Sequence, residues 1–313
     1  MEYFLKPFEL KNRHHGLKEQ LIHFCLISAA TVSILTTFGV LFSILFEAIE
    51  FFQMRSFWYF ITGTEWSPGV EDSKFGAVPI FAGTFMITFI AMAVAVPIGL
   101  GSAIFLSEYA SDFLRDTLKP LLEILAGIPT VVYGFFAAIT VAPAIVNFFA
   151  SFGVHASFNS ALASGVVMGI MIIPIISSLS DDVIRAVPDS QRKASLALGM
   201  TQGETIASIV IPSALPGIIS ASILGLSKAL GETMIVVMAA GLRPNLSWNP
   251  LEDMTTVTVR IVDALVGDNE FNSPDTLSAF ALGLVLFGVT LILNVISISL
   301  IRKFKEKYKV NTL

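Results

Sequence analysis

The chain has 313 residues, of which 54% are hydrophobic and 14% are charged, and its mean hydropathy is +0.78. Soluble domains carry about a quarter charged residues, so this composition excludes an ordinary soluble fold and indicates a membrane protein. The formal charge of −5 is mild, and we expect no nucleic-acid partner. The single cysteine, Cys25, excludes an internal disulfide framework and offers no metal cluster.

The chain opens with a polar stretch, 1–20, which contains four basic residues. The apolar run 21–46 that follows is longer than the core of a signal peptide, so it predicts a retained first span. Further apolar runs are long enough to cross a bilayer, and backbone groups in hydrocarbon must bond within a helix. The sequence therefore predicts an all-α integral membrane protein with six transmembrane helices, at about 21–46, 79–107, 121–149, 160–180, 212–241 and 279–301.

The distribution of basic residues predicts the orientation. With both termini on the cytoplasmic side, 14 of the 19 Lys and Arg residues lie in inner segments, four in outer loops, and Lys228 lies inside a span. Basic residues favour cytoplasmic segments, so this asymmetry predicts that both termini are cytoplasmic. We divide the chain accordingly into an N-terminal tail (1–20), a first helix with its outer loop (21–78), a five-helix domain (79–301) and a C-terminal tail (302–313).

Two long, acidic and aromatic loops, 47–78 and 242–278, are predicted to be outside and are called the first and second outer loops. They contain Trp58, Tyr59, Trp66 and Trp248. These aromatic residues either anchor the chain at the membrane interface, where Trp and Tyr are enriched, or form a docking platform for an external protein. The sequence leaves both interpretations open.

The third predicted span is interrupted by Gly127 and Pro129, since proline removes a backbone hydrogen bond and clashes with the preceding turn. Such a break at membrane depth is tolerated where protein or a water-lined cavity satisfies the freed groups. Thr130 and Tyr133 follow the break. Their hydroxyls either donate to a transported oxyanion or bond to neighbouring helices.

The loop 181–212, between the fourth and fifth spans, contains several residues that favour the start or the end of a helix. Pro188 and Asp189 predict the start of a short helix that ends near Gly199. Thr201 and Glu204 then form a T-x-x-E capping box, which predicts a second helix running toward the fifth span. The sequence thus predicts a short helix across the inner face, followed by a tight turn.

The fifth predicted span contains the chain's deepest charged residues, Lys228 and Glu232. Charges inside a span are costly and usually face the bundle interior or a cavity. Their i,i+4 spacing predicts that both lie on one helix face. They either attract and balance a transported anion or form a structural ion pair.

The inner loop resembles the cytoplasmic signature of membrane subunits of binding-protein-dependent ABC importers, Glu-Ala-Ala, three residues, Gly, nine residues, Ile-x-Leu-Pro. The triplet Lys193, Ala194 and Ser195 stands at its start, Gly199 follows at the required spacing, and Pro212 closes it. Lysine replaces the signature's glutamate. The resemblance implies a type I importer-like permease fold in which 189–199 is the coupling helix, with Arg192, Lys193, Ala194, Ser195 and Gly199 at the ATPase.

Further stretches resemble the phosphate-specific permeases of the PstC type over residues 74 to 241, although the sister PstA type is similar. The matching stretches are 74–79, 96–101, 106–110, 125–134 and 229–234. The family commonly has Arg at the position of Lys228. The resemblance implies a phosphate path near Lys228, Glu232, Thr130 and Tyr133, with structural breaks at Gly127, Pro129 and Pro212.

The resemblance also implies the partners and the location. We expect a second permease of the PstA type, two copies of a cytoplasmic ATPase, an extracytoplasmic phosphate-binding protein and a bacterial inner membrane. The sequence has no G-x-x-x-x-G-K-[ST] loop, so we expect a non-catalytic subunit with no cofactor of its own, ATP and Mg being bound by the ATPases. The alternatives are an importer of sulfate or molybdate, an ion-coupled secondary transporter, and a membrane regulator.

Overall fold

The computed structural model describes residues 17–69, 73–266 and 270–307, and the predicted tails 1–20 and 302–313 lie partly outside these ranges. The described residues are mostly helical. The helices are α1 (Leu17–Met54), α2 (Phe57–Thr62), α3 (Val78–Ile104), α4 (Asp112–Ala126), α5 (Thr130–Phe136), α6 (Ala142–Ala150), α7 (Ala161–Arg185), α8 (Asp189–Ala197), α9 (Gln202–Thr205), α10 (Ile211–Leu230), α11 (Met234–Ala239), α12 (Val257–Val266) and α13 (Pro274–Lys307).

A small β-hairpin and three π-helical segments complete the described fold. Strands β1 (Trp66–Ser67) and β2 (Lys74–Phe75) pair antiparallel within the first outer loop. The π-helical segments are Phe105–Tyr109, Ala137–Val141 and Ile206–Val210. They extend α3, join α5 to α6, and join α9 to α10, so each lies within a longer helical segment.

Within the residues that the structure describes, six helical segments are long and apolar enough to cross a membrane, which confirms the predicted number and the all-α class. They span 19–54, 78–109, 130–150, 161–185, 202–230 and 274–299.

Three of the predicted spans were wrong in their extent. The first was predicted as 21–46, but α1 continues to Met54 and includes the first residues assigned to the outer loop. The third was predicted as 121–149, but α4 ends at Ala126 and the crossing segment begins at Thr130, because Pro129 adopts an extended ψ of 136°. The fifth was predicted as 212–241, but α10 ends at Leu230 and the short α11 follows after a three-residue break. Both breaks interrupt a span that the hydropathy pattern presents as continuous.

The core of the bundle is the contact between α3 and α7, and α7 is the most buried of the six crossing segments. Glycine allows this close approach. A Cβ added at Gly165 would meet Ile90, and one at Gly169 would meet the backbone oxygen of Ala91. Small residues bring membrane helices together in this way.

An aromatic cluster joins the two outer loops. Phe51, Phe60, Trp66 and Phe75 stack edge to face with ring centroids 5.4–6.2 Å apart. The Arg260 guanidinium lies over the Trp66 ring, 5.7 Å from its centroid. Trp66 is only 8% exposed and belongs to the protein interior, while Trp58 and Trp248 are exposed.

Gly83, in α3, is predicted to be intolerant of a side chain. Its Cβ would lie closer than 3.0 Å to the carbonyl oxygen of Thr255, and the amide of Val257 beyond it donates to the Thr84 hydroxyl at 3.0 Å. We expect Gly83→Ala to lower the free energy of unfolding by about 1–3 kcal/mol, because the backbone must shift. Thermal unfolding in detergent measures this.

The matched control is Gly101→Ala in the same helix, where no atom lies within 4 Å of the added Cβ. Alanine has the higher helix propensity, so we expect this control to be neutral or slightly stabilising. Equal losses at both positions would contradict the steric explanation.

Candidate functional site

The short helix α8 forms as the sequence predicted. Pro188 precedes it, Asp189 occupies its first turn, and Gly199 ends the turn after it with a φ of +87°. A carboxylate at a helix start is favourable, and glycine adopts positive φ without strain. The second helix follows at once, so the predicted helix and tight turn are confirmed.

The capping box at the start of α9 is also confirmed. The Thr201 hydroxyl accepts from the Glu204 amide, and Glu204 accepts from the Thr201 amide at 2.8 Å. These bonds from the Thr201 amide and hydroxyl lower the pKa of the exposed Glu204 carboxyl. A lowered folded-state pKa gives stability that is present above the unfolded pKa and lost as the pH falls through the folded pKa, so this cap is intact at neutral pH.

The outward surface of α8 is small, apolar and basic. Lys193 and Ala194 are exposed, and Leu196 and Leu198 expose 50% and 85% of their surface. Ser195 instead points inward, where its hydroxyl lies 2.9 Å from that of Thr205. An exposed apolar pair beside a cation is suited to contact with another protein.

Arg192 lies on the inner side of α8 and contacts this chain's own residues. Its Nη2 donates to Glu108 Oε1 at 2.9 Å and to the carbonyl of Ile184 at 2.8 Å. Its Nη1 donates to the carbonyl of Val187. The side chain is only 18% exposed. The resemblance placed Arg192 at the ATPase, but the face that a nine-residue helix turns outward is not fixed by its sequence alone.

A groove of about 720 Å³ separates α8 from the start of α10. Its lining is mostly apolar and includes residues of the loop before α8. The lining residues are Val183, Ala186, Val187, Pro188, Gln191, Ala194, Ser195, Leu198, Met200, Ser208, Ile209, Pro212 and Ser213. Pro212, predicted as a structural break, lies in the first turn of α10, where proline is tolerated.

A charged cluster that the sequence analysis missed joins α4 to α7. Asp181 is fully buried and accepts from Arg115 at 2.9 Å and from Lys119 at 3.1 Å. Lys119 also pairs with Asp182. Burial alone would lower the pKa of Lys119, but its bonds to Asp182 and Asp181 raise it above the ordinary value. The sequence offered two signals for this cluster. Arg115 and Lys119 have i,i+4 spacing, and Asp181 and Asp182 are adjacent acidic residues in another inner segment.

The structure separates Lys228 and Glu232, which were predicted to share one helix face. Lys228 lies half-buried in the last turn of α10, and Glu232 follows the end of that helix. Glu232 is 8% exposed, and its Oε1 accepts from the amides of Met234 and Ile235 at 3.0 and 3.4 Å. The carboxylate therefore caps α11 and is not paired with Lys228, because Gly231 ends the helix between them.

The break in the third span is closed by Tyr133. Its hydroxyl donates to the carbonyl of Leu125 at 2.9 Å, across Gly127 and Pro129. Thr130 is the first residue of α5 and is half-buried. The phenol thus supplies one of the partners that the interrupted backbone needs.

The segments that follow the two breaks meet each other. A Cβ added at Gly134, in α5, would lie 3.1 Å from the carbonyl oxygen of Met234, the first residue of α11. The structure therefore brings the segment after Pro129 against the segment after Glu232. Of the residues predicted for a translocation path, Thr130 and Tyr133 lie in α5, Lys228 lies at the end of α10, and Glu232 lies between α10 and α11.

The profile of the family described as "Binding-protein-dependent transport system inner membrane component" matches residues 95–309. The chain belongs to this family. This permease is thus a multi-pass membrane protein. It is 34% identical to the "Probable ABC transporter permease protein YqgH" of Bacillus subtilis, covering 80% of this chain and 78% of that protein. It is 33% identical to the "Phosphate transport system permease protein PstC" of Mesorhizobium japonicum, covering 90% and 89%.

Solved structures show the same fold. The permease matches a chain of a bacterial ABC transporter involved in the import of the polysaccharide alginate with a TM-score of 0.65 and 12% identity, covering 91% of this chain and 96% of that one. It matches a chain of the MetNI methionine ABC transporter with a TM-score of 0.52 and 17% identity, covering 73% and 94%. The predicted importer permease fold is confirmed.

Proposed function

We propose that this permease is a membrane-spanning subunit of an ATP-driven importer of inorganic phosphate. The observation that carries the proposal is the identity of about a third, over most of the chain, with proteins named as PstC phosphate permeases. The loop between α7 and α10 supports an ATP-driven importer in particular, because the stretch with the importer signature forms an exposed short helix, α8, followed by the capped helix α9.

The permease works with a second permease of the PstA type, two cytoplasmic ATPase subunits that bind ATP and Mg, and an external phosphate-binding protein. Closure of the ATPases moves α8, whose exposed Lys193 and Ala194 contact them. The binding protein docks on the outer loops, which the contact between Arg260 and Trp66 holds together. The permease itself performs no catalysis.

Phosphate passes beside α5, α11 and the end of α10. Lys228 supplies the attracting charge, since it is half-buried and forms no ion pair within the described parts of the chain. Glu232 and Tyr133 act first as structural groups, because their polar atoms are engaged with backbone amides and a carbonyl. Thr130 lies beside the break and faces the same route. Weak binding suits a path from which the solute must leave.

The permease lies in the bacterial inner membrane with both termini in the cytoplasm. Support for this orientation comes from the 14 Lys and Arg residues in inner segments against four in outer loops. Labelling of single cysteines introduced in α8 tests it, in a variant from which Cys25 is removed. Reaction from the outer side of intact cells would contradict the orientation.

The proposal is tested by uptake of labelled phosphate in cells that lack the chain, with and without complementation. We expect uptake to require the chain and to stop when ATP is depleted, while collapse of the proton gradient with ATP maintained leaves it intact. Uptake of sulfate or molybdate in place of phosphate would contradict the assigned anion. Uptake that follows the gradient would contradict an ATP-driven importer.

The role of α8 is tested separately by deleting 189–199. We expect loss of both ATPase association and phosphate uptake, because the deletion removes the helix that carries the proposed contact. Unchanged uptake would refute the coupling role and leave the anion assignment standing.

A further inference from the structure

Glu108 lies far from α8 in the sequence but contacts both sides of the α8 turn, which is the segment from α8 to the start of α9. Glu108 Oε1 accepts from Arg192 Nη2, in α8, at 2.9 Å. Its backbone carbonyl accepts from Gln202 Nε2, at the start of α9, also at 2.9 Å. The side chain and the main chain of Glu108 therefore bind opposite sides of the same turn.

Glu108 belongs to the second span. It lies in the π-helical segment Phe105–Tyr109, which continues α3 to the end of the crossing segment 78–109. A second π-helical segment, Ile206–Val210, joins α9 to α10 on the other side of the turn. Such segments carry one extra residue in the turn and are frequent at functional sites. The turn is thus connected to α3 and to α10 through segments with this unusual geometry.

The link between Arg192 and Glu108 is protected from solvent. Their side chains are 18% and 9% exposed, so water and salt screen the pair weakly. Arg192 also contacts Asp189 at 3.4 Å, but that carboxylate is 80% exposed and its contribution is strongly screened. The remaining donors of Arg192 bind the carbonyls of Ile184 and Val187. One guanidinium therefore connects the end of α7, α8 and the end of α3.

We propose that Glu108 is a positioning residue of the transport cycle, which makes α3 follow the movement of α8. Through Arg192 and Gln202, displacement of the turn reaches α3, and the close contact of Gly165 with Ile90 keeps α3 and α7 together. The inference rests on the proposed coupling role of α8. It adds a defined internal contact through which that movement enters the spans.

The test uses the complete transporter in proteoliposomes and counts phosphate ions imported per ATP hydrolysed. Glu108→Gln keeps the shape and the main-chain carbonyl but removes the charge that Arg192 requires. We expect this ratio to fall at least about tenfold, the size typical of losing a hydrogen bond between charged groups, while the ATPase KM for ATP is unchanged. The matched control is Glu123→Gln, the same change at an exposed position of α4.

If the Glu108→Gln variant fails to assemble, a second measurement tests the proposal. Tyr109→Cys and Gly203→Cys, which leave the Gln202 side chain in place, are joined by a short flexible thiol reagent in a Cys25→Ser background. If α3 and the turn move together, the cross-linked transporter retains most of its transport, whereas arrest by cross-linking overturns the proposal. A wild-type ratio in Glu108→Gln also overturns it. Absence of phosphate import by the wild type would instead contradict the proposed function.

Discussion

Replacing Lys228 with methionine is expected to lower phosphate uptake by at least about tenfold. The ammonium group lies half-buried at the end of α10, beside the interrupted fifth span, and Glu232 does not neutralise it because that carboxylate caps α11. Methionine keeps the length and apolar stem of the side chain and removes only the charge. A hydrogen bond to a charged group contributes roughly 1.5–3 kcal/mol, which corresponds to a factor of about ten or more. Initial rates of uptake at low external phosphate measure the loss.

Lys228→Arg serves as the control because it keeps the charge. The planar guanidinium also suits an oxyanion, so we expect uptake to equal or exceed that of the wild type. If the Lys228→Met and Lys228→Arg variants transport phosphate equally well, Lys228 does not attract the anion. A methionine variant that transports normally but unfolds more easily would assign Lys228 a structural role.

Local punctuation explains why the inner loop was predictable from the sequence. Pro188 and Gly199 set the ends of α8, and Thr201 with Glu204 starts α9 through a reciprocal pair of bonds. Each of these signals acts within about four residues, so tertiary contacts are not needed to read it. The six spans were predictable for a similar reason, since their apolar length alone distinguishes them.

The break in the fifth span was not predictable in the same way. Gly231 is the only local breaker between Lys228 and Glu232, and glycine is common within membrane helices. The deciding interactions are the bonds from the first amides of α11 to the Glu232 carboxylate and from the Thr258 hydroxyl to the Glu232 carbonyl at 2.8 Å. The second of these joins residues 26 positions apart, and hydropathy carries no information about such a contact.

Long-range charge pairing was the other part that the sequence did not reveal. Glu108 and Arg192 are 84 positions apart, and Asp181 is 66 positions from Arg115. In the sequence each of these residues reads as an ordinary charge in an inner segment. Only the folded arrangement shows that they hold α3, α4, α7 and α8 together, because the acidic and basic residues of the inner segments could be paired in several other ways.

Replacing Asp181 with asparagine is expected to lower the free energy of unfolding by about 3–5 kcal/mol. Asp181 is fully buried, and the partly buried Arg115 and Lys119 both donate to it. Arg185 also lies 3.8 Å from Asp181 Oδ1, so removing the carboxylate's charge leaves three cations without this buried counter-charge. This is the costly way to break a buried ion pair. We expect a clear drop in the thermal unfolding midpoint of the detergent-solubilised protein.

Asp182→Asn is the matched control, since it makes the same chemical change one residue away. Asp182 pairs with Lys119, but its side chain is 57% exposed, so water and salt replace much of that interaction. Exposed pairs contribute about 0–1 kcal/mol, and we expect the control to unfold close to the wild type. Added salt should therefore change the free energy of unfolding of Asp182→Asn little. The free energy of unfolding of Asp181→Asn should stay low when salt is added. Equal destabilisation at both positions would show that burial of Asp181 does not set the strength of the contact between α4 and α7.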